Sequence, residues 1–468
     1  MNAPVVSSVL HALPYERLVD GRTGLVRSVQ RIPSLPELPA AYIALRADVA
    51  NTRHFSVWQA DRTALGAAFY DEKKAWASAI GEAMERYCGN FVPAHALRRA
   101  TYTQLLAEGE NVLDPYELIL YSDSQYTQPG FPCVPFTHDV PVLWTRGEDM
   151  STGDPILVPA SVVYLNYYSG ARIHEPPTNY PMFSGIAAGP SRAEAERSAL
   201  EELLERDATT IWWHSQSPMP LIEMACEPAI QAALYTPANS GTIDYFLLHL
   251  RTPFAVPVVA AFLRDRTHEI VTLGFACRAD PLQAALKALI EAIHLRSFHL
   301  NLLDPEGDVW RAMQAGILNA KAYKGYRADR SYMDAYRADF HDVVDLGCQA
   351  QMYLDPRMHV HVDDLLKTTE RVTLADLPRV TESDARMAYL RRLHEHGQRA
   401  ISVDLTTPDV RSAGISVVRV IVPGLYPNAP AAFPFLGGRR LYEEPAALGW
   451  LPAPLTEAML RLAPMPHN

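Results

Sequence analysis

Cysteine is scarce in this 468-residue sequence, and what there is stands apart. Cys88, Cys133, Cys226, Cys277 and Cys348 are odd in number and form no C-x-x-C pair. Disulfide frameworks and zinc ribbons both need closely spaced cysteines, so neither is expected, and buried thiols in a reducing compartment are. Positive charge is also in deficit: 42 Lys and Arg face 53 Asp and Glu, a formal net charge of −11. Broad nucleic-acid surfaces depend on clustered Lys and Arg, so no nucleic-acid partner is expected. No run of 18 apolar residues occurs, and the start MNAPVVSSVLHALPYERL has neither the basic opening nor the unbroken apolar core of a signal peptide. The expectation is a cytoplasmic protein without a membrane partner. No P-loop occurs either; Gly185-Ile-Ala-Ala-Gly189 reads only as a Gly-rich turn delivering the chain to a helix.

What the chain does have is a repeated helix. In Ser191 to Arg206, Glu194, Ser198, Glu202 and Glu205 fall at spacings of four, four and three and share one helical face. Ala195, Ala199, Leu200, Leu203 and Leu204 form the opposing apolar stripe. Far upstream, Ser78-Ala-Ile-Gly-Glu82-Ala-Met-Glu85-Arg86 repeats the pattern of Ser198-Ala-Leu-Glu-Glu202-Leu-Leu-Glu205-Arg206. A fainter copy puts Gln283, Lys287, Glu291 and His294 at the same spacings.

Gathering Glu82, Glu85, Glu202 and Glu205 in one place costs about 4 kcal/mol per pair at 4 Å and an effective dielectric near 20. Divalent cations remove that cost, and carboxylate oxygens without imidazole or thiolate suit Mg²⁺, which commonly completes its shell with substrate phosphates. Arg86 and Arg206 could then meet phosphate oxygens bidentately. A plainer reading stays open, since E-x-x-E-R on an Ala- and Leu-rich helix is often a solvated face. Glu194 has its own plain reading, because Ser191-x-x-Glu194 is a capping box.

In chain order, residues 1–60 read as an N-terminal segment packing on the core, with a strand edge at Arg22 to Val26 and an extended Pro33 to Pro39 connection. The first repeat helix opens at Asp71, a good N-cap, and Gly89-Asn90 stops it. Strands are expected at Val142 to Trp144, Ile156 to Leu165, Phe254 to Phe262, Glu269 to Ala276, Ala400 to Leu405 and Ile415 to Val422. Asp280-Pro281 is an N-cap with proline at N1. Residues 305–400 read as charged and helical in tendency, and 441–468 as a Pro-rich tail of the kind usually disordered.

These motifs resemble the YcaO family: S-x3-E-x2-E-R in the first helix, Gly185 to Ala208 as a second block, then Asp404 to Asp409 and Arg419 to Gly424. The resemblance, spanning about residues 22 to 440, implies a mixed α/β YcaO-type fold with repeated strand–helix units packed around one nucleotide site, and a catalytic domain over 61–440. It implies ATP and Mg²⁺ as cofactors. Ser78, Glu82, Glu85, Arg86, Glu194, Ser198, Glu202, Glu205 and Arg206 would bind the nucleotide, and Glu82, Glu85, Glu202 and Glu205 the metal. Where some members carry Ser and Gln, this chain has Ala187 and Ser198, and His294 stands where many have Gln.

The implied activity is ATP-dependent cyclodehydration of Cys, Ser or Thr in a ribosomally made precursor peptide to thiazoline or oxazoline. Thioamide or amidine formation, or a non-catalytic peptide-binding scaffold, remain alternatives. Azoline-forming members end in P-x-P-x-P, and here Pro464-Met-Pro466-His467-Asn468 stops short, so the resemblance casts the Asn468 carboxylate as a general base. Fused members carry zinc-binding C-x-x-C pairs and a leader-recognition module that find no place here. A partner protein that recruits the substrate is therefore expected, with a dehydrogenase among the candidate partners, and the resemblance implies a homodimer.

Overall fold

Three times the chain runs from a short, small-residue strand directly into a long helix, and each helix is started by a side chain that accepts from the N3 amide. Asp71 accepts from Lys74 N at 2.9 Å, Ser191 from Glu194 N at 3.2 Å and Asp280 from Gln283 N at 3.1 Å. The helices are α1 (Glu72–Gly89), α2 (Arg192–Ser215) and α3 (Pro281–Leu303). The computed structural model describes residues 14–54, 62–237, 241–316, 318 and 321–467.

The strands are β1 (Val26–Arg31), β2 (Tyr42–Val49), β3 (Thr63–Phe69), β4 (Arg98–Ala100), β5 (Val142–Asp149), β6 (Pro155–Pro159) and β7 (Ile186–Gly189). They continue as β8 (Leu221–Ile222), β9 (Ile243–Leu250), β10 (Val258–Asp265), β11 (Ile270–Cys277), β12 (Arg371–Val372), β13 (Ile401–Asp404) and β14 (Ser416–Ile421). Among the described residues they form three sheets, ordered β1-β2-β3, β11-β10-β9-β8-β12 and β4-β5-β13-β14-β7, with β6 paired to β5. Among the described residues the named strands pair with one another antiparallel, except β8 with β12. The architecture is the mixed α/β arrangement expected.

Each long helix packs on the strand that precedes it and also on the strand of the next unit. Thus α1 lies on β3 and β7, α2 on β7 and β11, and α3 on β11 and β3. The three strand–helix units close into a ring, with the carboxylate faces of the helices at its centre. Close approach requires small residues. A Cβ on Gly66 of β3 would sit 2.2 Å from Ala75 O and Ala79 N, and one on Gly274 of β11 would sit 2.2 Å from Ala288 O and 2.4 Å from Ala292 N.

The apolar stripe read for α2 is buried as expected, but so is most of the rest of that helix, including Glu196, Glu201, Glu205 and Asp207. Buried charges need partners, and these have them. Glu201 meets Arg197 at 2.9 Å, Arg278 at 3.4 Å and Tyr389 Oη at 3.0 Å, while Asp207 is gripped by Arg440 through two 2.8 Å bonds.

Several local expectations are corrected. Gly185 has φ of +89°, and residues 186–189 are not a turn but strand β7, because β14 pairs with them from Ser416↔Gly189 to Arg419↔Ile186. The strand expected over Ile156 to Leu165 ends at Pro159 and passes into a 3-10 turn. Among the described residues, 305–400 hold only short helices, the longest Ala385–Glu395, since charged composition without a sustained apolar period cannot seat a long helix. The Pro-rich tail is ordered rather than loose: its middle, including Pro452 to Pro454, is exposed, but most of Leu460 to His467 is buried. Trp213 Nε1 donates to Ala463 O at 2.8 Å, Tyr353 Oη to Pro464 O at 2.9 Å and Leu273 N to Pro466 O at 3.0 Å.

Gly274→Ala is expected to lower stability by about 1–3 kcal/mol, as overpacking against backbone does. Gly325→Ala, where an added Cβ meets nothing within 4 Å, is the control. Equal urea midpoints for the two variants would refute the close approach of β11 and α3.

Candidate active site

The glutamates that the repeat singles out do converge, and the backbone of the preceding strands sets where they point. Glu82 accepts from Leu65 N of β3 at 3.2 Å, Glu202 from Gly185 N at 2.9 Å and Glu291 from Phe275 N of β11 at 3.4 Å. The same bond therefore recurs in all three units, each between a helix carboxylate and the strand leading into that helix. Glu85 reaches across to the next unit and accepts from Ala188 N of β7 at 2.8 Å. Held this way, the carboxylates cannot swing apart to relieve their repulsion.

Their charges act on one another. Burial pushes the Glu85 carboxyl up to about 8; the Ala188 N–H opposes this, and Glu202 and Glu82 add to it. Glu205 is likewise raised by burial, opposed by Arg206 and reinforced by Glu291 and Glu202. Burial alone would raise Glu291, yet Lys287 at 2.9 Å, Arg206 and His467 hold it well below the usual carboxylate range. Glu202 belongs to both groups and joins Glu82 and Glu85 to Glu205 and Glu291 in one acidic centre.

Cations surround it. Arg206 lies 3.4 Å from Glu205 and 3.9 Å from Glu202. Arg278 is lowered by burial but raised overall by Glu201, Glu205 and Glu291. Lys74 is lowered by burial and by the charges of Arg278 and Lys287, so these three cations neighbour one another. Arg86 faces the Phe183 ring at 5.5 Å. Buried Arg419 of β14 donates to Val163 O at 3.1 Å and to Ser184 O and Met182 O, fixing the segment that carries Gly185 N towards Glu202.

Among the described residues no three His, Cys, Asp or Glu side chains already close on one point as a cage for an ion. The donor set nonetheless fits Mg²⁺, which is usually held by one or two carboxylates plus substrate phosphates. Carboxylates that raise one another, beside an Arg206 whose buried Nε reaches Glu205 at 3.4 Å without hydrogen-bond geometry, suit a cation that also binds phosphate. Glu82, Glu85, Glu202, Glu205 and Glu291 are the residues that would hold it.

Other candidates lie further out. Ser78 is exposed and Ser198 half-buried on the faces of their helices. Glu194 is exposed, and the capping box is only half formed: Ser191 caps the Glu194 amide, but the Glu194 carboxylate pairs with Arg197 at 3.0 Å, a charge-assisted bond that outcompetes return to the N-cap. Asn468 lies outside the described residues. His294 sits beside Lys287 and Glu291, and burial first, then Lys287, lowers its imidazole to about 4, leaving it neutral. Sequence reasoning missed Tyr15, Lys74, Arg278 and His467. Tyr15, whose phenol is raised by burial and by Glu194 and Glu85, carries no motif, and Arg278 precedes its helix by three residues.

A family described as YcaO cyclodehydratase, ATP- and Mg²⁺-binding, matches residues 69–426. An uncharacterised protein of Methanothermobacter thermautotrophicus is 25% identical over 363 residues, 75% of this chain and 79% of that protein. A heterocyclase solved with substrate and cofactor superposes with a TM-score of 0.72 at 23% identity, over 97% of this chain and 57% of its own. YcaO from Methanopyrus kandleri, solved with AMPPCP and Mg²⁺, superposes with a TM-score of 0.54 at 19% identity, over 88% of this chain and 91% of that one. The chain thus spans little more than half the length of the heterocyclase it matches.

In Mg²⁺-free protein the raised Glu85 value carries a sign. The fold keeps this carboxyl protonated up to about 8, whereas the unfolded chain ionises it near 4.5. Its contribution is complete below the lower value and lost as pH rises through the upper one. Between about pH 5 and pH 8 the wild type should therefore lose about 2–3 kcal/mol more stability than Glu85→Gln, after allowing for partial exposure. Parallel urea-unfolding curves in chelator across that range would contradict the assignment.

Proposed function

Because the chain belongs to the YcaO cyclodehydratase family, we propose that it activates backbone amides of a ribosomally made precursor peptide with ATP and closes Cys, Ser or Thr into thiazoline or oxazoline. The observation that carries this reading is the acidic centre at the middle of the three-unit ring, with Arg206, Arg278, Lys287 and Lys74 around it. ATP with Mg²⁺ supplies the phosphoryl group and neutralises its charge. The chemistry needs this because the amide oxygen is a poor leaving group until it is phosphorylated.

In the proposed sequence the side-chain sulfur or oxygen gives its S–H or O–H proton to water and attacks the preceding carbonyl carbon, forming the ring bond as the carbonyl π pair moves onto oxygen as an oxyanion. That oxygen takes the γ-phosphoryl group as ADP departs; phosphate then leaves as the ring nitrogen loses its proton and the C=N bond forms. The protein's share is to position the reactants and stabilise charge. Glu82, Glu85, Glu202 and Glu205 would hold the metal that carries the triphosphate, Arg86 and Arg206 would meet phosphate oxygens, and the strand amides fix the carboxylates in place. The Asn468 carboxylate accepts the proton. Support for that last role comes from the tail, which β11, Tyr353 and Trp213 hold up to His467 beside the centre.

The reading extends to partners: a leader-binding protein that presents the peptide, as in a multiprotein synthetase, and a homodimer of this chain. Among the described residues no helix is long and apolar enough to cross a membrane.

Glu82→Gln and Glu202→Gln should each abolish Mg²⁺-dependent nucleotide binding by calorimetry without unfolding the protein. Wild-type affinity in both would sink the metal assignment. Two residues appended after Asn468 should cut peptide dehydration, followed by mass spectrometry as loss of water, by about 10² or more while nucleotide affinity holds. An unchanged rate would remove Asn468 from the reaction.

A further inference from the structure

The penultimate residue is more than a spacer in the tail. His467 is buried, its ring packed edge-on against Phe275 with centroids 4.9 Å apart. Its main chain is pinned by Gln349 Nε2, which donates to His467 O at 2.9 Å, and the carbonyl just before it, Pro466 O, accepts from Leu273 N at 3.0 Å. Strand β11 is an edge strand of its sheet, and the tail covers that edge at Leu273.

The two ring nitrogens have different partners. Nδ1 lies 3.1 Å from Leu273 O, and Nε2 meets Arg206 Nη1. A guanidinium can only donate and a carbonyl can only accept. The tautomer follows: Nδ1 carries the proton and donates to Leu273 O, and the lone pair of Nε2 accepts from Arg206. Arg206 is therefore held from two sides, by a neutral acceptor on one and by Glu205 at 3.4 Å and Glu202 at 3.9 Å on the other. Its Nε is the atom that faces Glu205 at 3.4 Å, a buried ion pair without hydrogen-bond geometry. Two carboxylates alone would leave the guanidinium several competing poses, whereas the imidazole, locked by β11, selects one.

Building on the proposed nucleotide site, we infer that His467 is a positioning residue that orients Arg206 for the nucleotide phosphates, so that the seated tail and the second E-x-x-E-R motif form one unit. The strand that locks His467 also carries the Phe275 amide that holds Glu291. A displaced tail therefore disturbs the arginine and loosens the wall of the acidic centre together. Nucleotide binding thereby senses whether the tail is in place.

The test is calorimetric titration of the full-length protein with AMPPCP and Mg²⁺. His467→Phe keeps a ring against Phe275 but removes both nitrogens, and should weaken nucleotide binding about tenfold, the scale of one hydrogen bond to a charged group. His467→Gln has an amide that can accept from Arg206 and donate to Leu273 O, and should recover most of the loss. In an Arg206→Lys background, which lacks the guanidinium fork, His467→Phe should cost less than about twofold more. Wild-type affinity in His467→Phe, failure of His467→Gln to recover binding while its melting temperature is normal, or penalties that multiply in the double variant would each overturn the inference. The expected pattern in a protein that dehydrates no peptide would defeat the cyclodehydratase reading and leave His467 where it is assigned. A wild-type protein that binds no nucleotide would overturn both.

Discussion

Like charges held together against their repulsion are the constraint on which this structure depends. Glu82, Glu85, Glu202, Glu205 and Glu291 come from three helices, and burial first, with their mutual repulsion after it, raises the carboxyls of Glu85 and Glu205. Nothing about an isolated helix would keep such groups near one another. The ring geometry does so: each helix is clamped between two strands, and backbone N–H groups from those strands hold four of the five carboxylates. Main-chain donors are well suited to this, because they fix a side chain without neutralising it. The carboxylates are thereby restricted to few rotamers before any ligand arrives.

Everything nearby serves the same constraint. Gly66 and Gly274 let α1 and α3 approach their strands closely enough for the amide–carboxylate bonds to form. Arg419, buried under the site, gathers the carbonyls of Val163, Met182 and Ser184 and presents the Gly185 amide to Glu202. The burial of Arg419 depresses its guanidinium to about 9, a cost accepted for placing that one amide. Paired charges on the far face of α2, Glu201 with Arg197 and Arg278, and Asp207 with Arg440, allow a helix so rich in carboxylates to lie in the interior.

Much of this was legible in the chain. The spacing of Ser78, Glu82, Glu85 and Arg86 repeated at Ser198, Glu202, Glu205 and Arg206 shows a duplicated helix face, and the caps Asp71, Ser191 and Asp280 start the helices where expected. Those are local matters of periodicity and N-cap chemistry, which short stretches of sequence encode. The third copy was faint because one glutamate is replaced by His294, yet its Glu291 makes the same strand bond as Glu82 and Glu202. Gly185 to Gly189 misled because glycine and alanine mark turns in isolation; pairing with β14, more than 200 residues away in sequence, makes them a strand.

By itself the sequence determined the helix faces, the acidic donor set and the family resemblance, since each depends on residue type and near spacing. Only the tertiary structure decided that the faces meet, that Lys74, Arg278 and Lys287 border them, and that the tail is seated rather than loose. Proline content predicts a stiff, weakly self-associating segment, but its order depends on distant donors: Trp213, Tyr353, Leu273 and Gln349. Contacts between residues hundreds of positions apart leave no periodicity in one sequence, so the closing of the ring, and His467 upon Arg206 within it, belongs to the fold alone.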